Sequence, residues 1–316
     1  MMTTQRFAVA ETFAVAAPRG LTVEGFADPT HPHIPVRKPY VFREQLRDVL
    51  AFLAEPAGDG LYLTGPTGAG KTSLVLQIAA RLNWPVQEVT CHGRLELSDL
   101  LGQFVLAGGE TRFLDGPLAL AARAGHLLVL NEIDLMDPAE LAGLNDIVEG
   151  APLVIAAHAG EVIAPHPKFR VIATGNSAGA GDASGLYPGV LRQSLALLDR
   201  FRVVPIGYPD LETEQGLLRT LVPALPEGIG ARMIAVANEI RRLFQGEADA
   251  GRELTVTLST RTLLRWARLA LTFKGAPNPL EYALGQALTA RAEPAQREAI
   301  HRIAADVFGE LWSTRS

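Results

Sequence analysis

A chain of 316 residues with 48% hydrophobic and 20% charged residues has the make-up of a globular protein and enough length for two cores. Its 29 Lys and Arg against 34 Asp and Glu give a formal charge of -5, which argues against a broad nucleic-acid footprint. One cysteine, Cys91, excludes an internal disulfide and has no neighbours at metal-ligand spacing, so it reads as a small apolar filler at a strand end. No apolar run approaches the ~20 residues of a membrane span, and residues 1–17 lack the pattern of a signal peptide, so a cytoplasmic protein is expected.

In chain order, residues 1–43 read as an arm. Within it Asp28-Pro29-Thr30-His31-Pro32-His33-Ile34-Pro35 has too much proline for a helix or a central strand. His31 and His33 form an isolated His-x-His, and an exposed loop is expected there because no further metal ligands accompany them. From 44 to 208 apolar runs alternate with helical patterns. The runs Leu61–Thr64, Val86–Thr90, Leu127–Leu130, Val171–Thr174 and Val203–Ile206 predict a parallel α/β sheet with helices on both faces. Two hairpin inserts are expected, one over 104–113 around Gly108-Gly109 and one over 153–163 turning near Ala159-Gly160. Beyond 208 the strand signal fades. Helical patterns at about 212–221, 229–244, 261–273, 279–291 and 294–310, punctuated by prolines, predict a smaller all-α lid domain over 209–316.

The sharpest signal is Gly65-Pro66-Thr67-Gly68-Ala69-Gly70-Lys71-Thr72, followed by Ser73. It fits the phosphate-loop pattern and sits between a strand and a helix, the context the motif requires. Backbone N–H groups and the helix N-terminus would cradle a polyphosphate. Lys71 is expected to reach the β- and γ-phosphates of ATP, and the Thr72 hydroxyl to bind Mg²⁺. A second strand, Leu127–Leu130, ends in Asn131-Glu132-Ile133-Asp134. Glu132 is the candidate for polarising the attacking water. Asn131 is the candidate to support Mg²⁺ through a bound water, without the charge of a carboxylate, and Asp134 could compensate. The bland alternative is that Glu132 and Asp134 cap a helix start. Asn176, after a third strand, suits a residue that holds the lytic water or the γ-phosphate. Arg200 is a candidate arginine finger acting on a neighbouring subunit, although Asp-Arg-Phe alone more often marks a surface ion pair. Arg261 could reach back to the γ-phosphate, while Arg265 and Arg268 read as a solvated face. Tyr40-Val41-Phe42 is the candidate base pocket, against a plain core reading.

This order of phosphate loop, acidic strand end, Asn176, Arg200 and Arg261 resembles the AAA+ ring ATPases. The two hairpins are similar to those of the helix-2-insert members, the MoxR group. Residues 80–85, Pro165-His166-Pro167-Lys168-Phe169-Arg170, Gly181-Asp182-Ala183-Ser184-Gly185-Leu186-Tyr187, Asp199-Arg200 and Ser259-Thr260-Arg261-Thr262 resemble the ATP-hydrolysing small subunit of aerobic cobaltochelatases. The resemblance runs from about Tyr40 onward. It implies a P-loop NTPase fold and a homo-oligomeric ring, expected to be hexameric, with Mg²⁺ and ATP between subunits. It also implies a partner with a von Willebrand A domain. Asn131 departs from the family's Asp, and no corrin site is visible, so any cobalt chemistry would belong to partners. Two rival readings remain: a slow nucleotide-gated assembly platform, motivated by Asn131, and a DNA-translocating ring, disfavoured by the charge.

Overall fold

The computed structural model describes residues 3–181, 187, 189–246 and 254–312. They group into two compact units. One holds residues up to 38, 42–66 and 71–206; the other holds 39–41, 67–70 and the chain from 207 onward.

In the first unit, β1 (Thr4–Ala8) and β2 (Thr22–Phe26) pair antiparallel, with Thr4 opposite Phe26, and a short helix, Val9–Phe13, follows β1. Residues 3–38 thus have a place that their sequence did not disclose. Phe26 meets the Trp84 ring edge-on at 5.5 Å. Lys38 N–H donates to Gln77 Oε1 at 2.8 Å, and Gln77 Nε2 donates to the Val36 carbonyl at 3.1 Å, so residues 36–38 are tied to the helix Lys71–Arg81. His31 and His33 are not isolated either: their rings lie 5.0 and 6.0 Å from that of His126.

The strands that follow are β3 (Gly60–Thr64), β4 (Val86–Thr90), the hairpin β5 (Gly102–Ala107) and β6 (Glu110–Asp115), β7 (Leu127–Asn131), the hairpin β8 (Leu153–Ile155) and β9 (Glu161–Ile163), β10 (Arg170–Gly175) and β11 (Phe201–Pro205). The main sheet has the order β11-β3-β10-β7-β4, every pair parallel. The three central strands are buried at every position, which is why they contain the apolar runs Leu61–Leu63, Leu127–Leu130 and Val171–Ala173. The edge strand β11 is only partly covered, with Phe201 buried and Val203 exposed. It begins two residues before the expected Val203, because the apolar run marks only part of a half-covered strand.

β5 pairs antiparallel with β6, and β8 with β9. Gly108 and Gly109 take φ of 62° and 84°, the left-handed pair that a tight hairpin turn needs, and Ala159 and Gly160 take 51° and 72°. Arg123, on the helix Pro117–Ala124, joins them: it pairs with Asp115 at 3.0 Å and Glu161 at 3.1 Å. Phe113 stacks on His158 at 4.5 Å.

Among the described residues the second unit packs five α-helices, Leu211–Leu221, Glu227–Gln245, Thr260–Thr272, Pro279–Ala287 and Pro294–Phe308, around Met233, Ile240, Trp266 and Leu284. Asp210 and Ser259 cap the first and third of these helices through their side-chain oxygens. Inside lies a two-bonded ion pair, Arg241 to Glu214, both bonds at 2.8 Å, with Thr260 Oγ1 also donating to Glu214. The side chains are 4% and 0% exposed, so removing one partner would cost about 3–5 kcal/mol by stranding a buried charge.

Candidate functional site

The carboxyl ends of β3, β7 and β10 lie side by side, and the loops that leave them carry the polar residues singled out in the sequence. After β3, Gly65 has φ +144°, and a Cβ there would meet the Ile206 carbonyl oxygen at 2.1 Å, so the loop's first turn admits only glycine. Pro66 follows in the same unit, and Thr67, Gly68, Ala69 and Gly70 group with the helical unit. The chain then enters the helix Lys71–Arg81, with Lys71 and Thr72 at its start and Ser73, exposed, in its first turn.

Lys71 is 8% exposed, and its Nζ donates to the Gly65 carbonyl at 2.6 Å, the Pro66 carbonyl at 3.0 Å and Asn176 Oδ1 at 3.1 Å. A buried ammonium at a helix start sets positive charge where the helix's own N–H groups also favour an anion. The Thr72 hydroxyl donates to Asn131 Oδ1 at 2.6 Å, and Thr174 Oγ1 donates to the same oxygen at 3.3 Å. A hydroxyl and an amide oxygen side by side are hard oxygen donors of the kind Mg²⁺ takes, usually through retained waters. Donor chemistry and the glycine-only cradle both fit a Mg²⁺-bound nucleoside triphosphate.

Glu132 is exposed and has φ 56°, a left-handed conformation uncommon for a side-chain-bearing residue. Its N–H donates to Thr174 Oγ1 at 3.3 Å. That conformation ends β7 abruptly and sets the Glu132 backbone at the sheet edge.

Asp134 does not compensate for Asn131. It is fully buried, and its Oδ2 accepts the backbone N–H of Asn176 at 2.8 Å and of Ser177 at 3.1 Å. Its carboxylate therefore fixes the loop after β10. The negative charges around Cys91 and its burial push that thiol up to about 12, burial being the larger cause and Asp134 and Glu132 the next, so Cys91 is an inert core group. Burial, then Asp134, also raises the Tyr62 phenol, which donates to the Ser177 carbonyl at 2.6 Å.

The structure thus pairs Lys71 with Asn176, and Thr72 with Asn131, at adjoining positions of the chain, with the Glu132 backbone attached to the second pair through Thr174. Arg200 is outside it: its Nε lies 2.9 Å from Glu149 Oε1, off hydrogen-bond alignment, and its Nη1 donates to the Ala196 carbonyl. Arg261 belongs to the second unit, where it is exposed in the first turn of Thr260–Thr272, as are Arg265 and Arg268 further along. Phe42 is core: it meets Phe13 edge-on at 5.0 Å and lies under the Arg81 guanidinium at 4.8 Å. Residues 182–186 of the 181–187 element fall outside the described residues.

Sequence reading missed Thr174 and Glu88. Glu88, on β4, accepts a hydrogen bond from Asn131 Nδ2 at 2.8 Å. Only the pairing of β4 with β7 reveals it, since the two residues are 43 apart.

Residues 60–201 match the AAA domain family, dynein-related subfamily, and residues 216–307 match the CbbQ/NirQ/NorQ C-terminal family. Protein NorQ of Paracoccus denitrificans is 30% identical over 263 residues, covering 83% of this chain and 92% of that protein. The chain belongs to the AAA+ ATPases. Aerobic cobaltochelatase subunit CobS of a Sinorhizobium species is also 30% identical, over 244 residues, covering 74% of this chain and 71% of that subunit. This AAA+ ATPase is thus of the MoxR, CbbQ and CobS type, a five-stranded parallel sheet followed by a helical domain. Among the described residues no helix is long and apolar enough to cross a membrane, and no group of three His, Cys, Asp or Glu side chains is arranged to hold a metal ion.

Proposed function

We propose that this AAA+ ATPase hydrolyses ATP with Mg²⁺ as a homo-oligomeric ring, hexameric as in the resemblance, and uses the cycle to remodel a partner protein in the cytoplasm. The observation that carries the reading is the two hydrogen-bonded pairs, Lys71 with Asn176 and Thr72 with Asn131, at the sheet's carboxyl edge, with Glu132 beside them. The backbone of Gly65–Gly70 and the Lys71 ammonium would hold the phosphates. Thr72 and Asn131 would hold Mg²⁺, which would offset the negative charge of the phosphates. Glu132 would orient and deprotonate the attacking water, and Asn176, joined to Lys71, would report the state of the γ-phosphate. Arg200 bonds none of the phosphate-loop residues of its own chain, which supports a finger role toward a neighbouring subunit, and Arg261 would couple the helical domain to the nucleotide.

Partner contact is supported by the hairpins, whose Phe104, Leu106, Val154 and Val162 are 52%, 78%, 55% and 62% exposed. A von Willebrand A domain protein is the partner class we propose. Metal chelation, suggested by the name of the CobS relative, is one client task. Asn131 in place of a carboxylate favours a second reading, a slow nucleotide-gated platform.

The deciding experiment measures ATPase rate against protein concentration, with and without Mg²⁺, alongside mass by light scattering. A specific activity that rises as the oligomer forms, falls ~10³-fold in Arg200→Ala and partly returns on mixing with Lys71→Ala subunits supports catalysis across subunits. A near-zero rate in an intact oligomer favours the platform. Salt-sensitive stimulation by DNA would overturn both in favour of a translocase.

A further inference from the structure

We propose that Glu88 supplies the negative charge that Asn131 lacks, and so is a positioning residue of the Mg²⁺–nucleotide site. The inference rests on the Mg²⁺-dependent reading above. Asn131 is buried and bonded at both ends of its amide. Its Nδ2 donates to Glu88 Oε1 at 2.8 Å, while its Oδ1 accepts from Thr72 Oγ1 at 2.6 Å and from Thr174 Oγ1 at 3.3 Å. An amide has a donor end and an acceptor end, so the carboxylate on one side determines that the oxygen faces the Thr72 hydroxyl. With a neutral acceptor in place of Glu88 that orientation could persist, but the amide would be less polarised. An ionised acceptor on Nδ2 shifts electron density toward Oδ1 and strengthens it as an acceptor for a metal-bound water.

The other carboxylates near this strand end do not hydrogen-bond Asn131. Asp134 Oδ2 holds the backbone N–H groups of Asn176 and Ser177, and the exposed Glu132 joins this cluster through its backbone N–H, which donates to Thr174. Among the described residues Glu88 is the carboxylate that hydrogen-bonds Asn131. The register explains its reach: Thr90 of β4 stands opposite Asn131, so Glu88 lies two positions back on the same face, and its longer side chain covers the offset. Amide on one strand and carboxylate on the next thus divide between them what a single acidic residue would provide.

The test is a Mg²⁺ titration of fluorescent ATP-analogue binding to the full chain, with the unfolding midpoint recorded for each variant. Glu88→Gln keeps a hydrogen-bond acceptor and removes the charge. It is expected to raise the Mg²⁺ concentration for half-maximal tightening about tenfold, with Mg²⁺-free affinity unchanged. Asn131→Asp alone sets two carboxylates in contact and removes the donor, so it is expected to lower the unfolding midpoint. Combined with Glu88→Gln it restores one charge in the pair, and the Mg²⁺ midpoint should return to within about twofold of the parent. A Glu88→Gln midpoint equal to the parent's, or a double variant no better than Glu88→Gln, overturns the inference while leaving the nucleotide site intact, provided Lys71→Ala abolishes binding. A parent chain that binds no nucleotide at any Mg²⁺ concentration overturns the site reading itself, and the inference with it.

Discussion

The two ends of β7 carry polar clusters built in opposite ways. At the carboxyl end, Asn131 has partners on both sides of its amide and connects through Thr72 and Thr174 to residues fit to hold a charged ligand. At the amino end, His126 is 2% exposed, keeps Gln87 on Nδ1 at 3.0 Å, and has no partner on Nε2. The rings of His31 and His33 lie against it, with His166 near, and each would repel a proton placed there. One strand thus ends where charge is organised and begins where charge is kept out. The division continues on β4, where the successive residues Gln87 and Glu88 alternate across the strand and serve the two clusters separately.

The largest effect that would sharpen this contrast belongs to the carboxyl end. Glu132→Gln should cut steady-state ATPase about 10²–10⁴-fold, the usual worth of a positioned general base, while nucleotide binding persists. Turnover within a few-fold of the parent would remove Glu132 from the role and leave the two ends of β7 more alike than we argue.

What the sequence disclosed follows the same physics. Central strands such as Leu127–Asn131 are legible because burial on both faces forces an unbroken apolar run, and the phosphate loop is legible because its constraints are local. Contacts between strands were not. Asp134 reads as a spare metal ligand beside Asn131, yet its carboxylate serves backbone 42 residues away. His31 and His33 lie in a loop, with His33 exposed, as expected, but nothing nearby in the chain announces the approach of their rings to His126. Residues 4–26 gave no strand signal because their order depends on packing against the far end of the phosphate-loop helix, where Phe26 N–H donates to the Leu82 carbonyl at 2.8 Å.

The next effect is on stability and comes from the amino end. Burial, then His31, His33 and His166, depress the His126 pKa from 6.5 to about 4. The unfolded chain takes up a proton near 6.5 and the folded chain does not until about 4, so folding excludes a proton between those values. The stabilisation is complete above 6.5 and is lost as pH falls toward 4, by up to ~3 kcal/mol. Lys168, two residues from His166, adds to the lowering of that ring's pKa and leaves the sign unchanged. Urea unfolding at pH 7.0, 5.5 and 4.5, values spread across that window, should show the loss, and His126→Gln should flatten most of it. A slope of equal size in both proteins would assign the acid loss to other groups.

The smallest effect isolates the boundary between the clusters. Gln87→Leu keeps the side chain's bulk and takes away the hydrogen bond at His126 Nδ1, leaving that buried nitrogen unpaired. The expected cost is about 1–3 kcal/mol of stability at pH 7. Mg²⁺-dependent nucleotide binding should stay at the parent value, because Gln87 and Glu88 face opposite sides of β4. If Gln87→Leu instead shifts the Mg²⁺ midpoint as Glu88→Gln does, then β4 transmits strain from one end of β7 to the other, and the clusters are a single coupled unit rather than two neighbours on one strand.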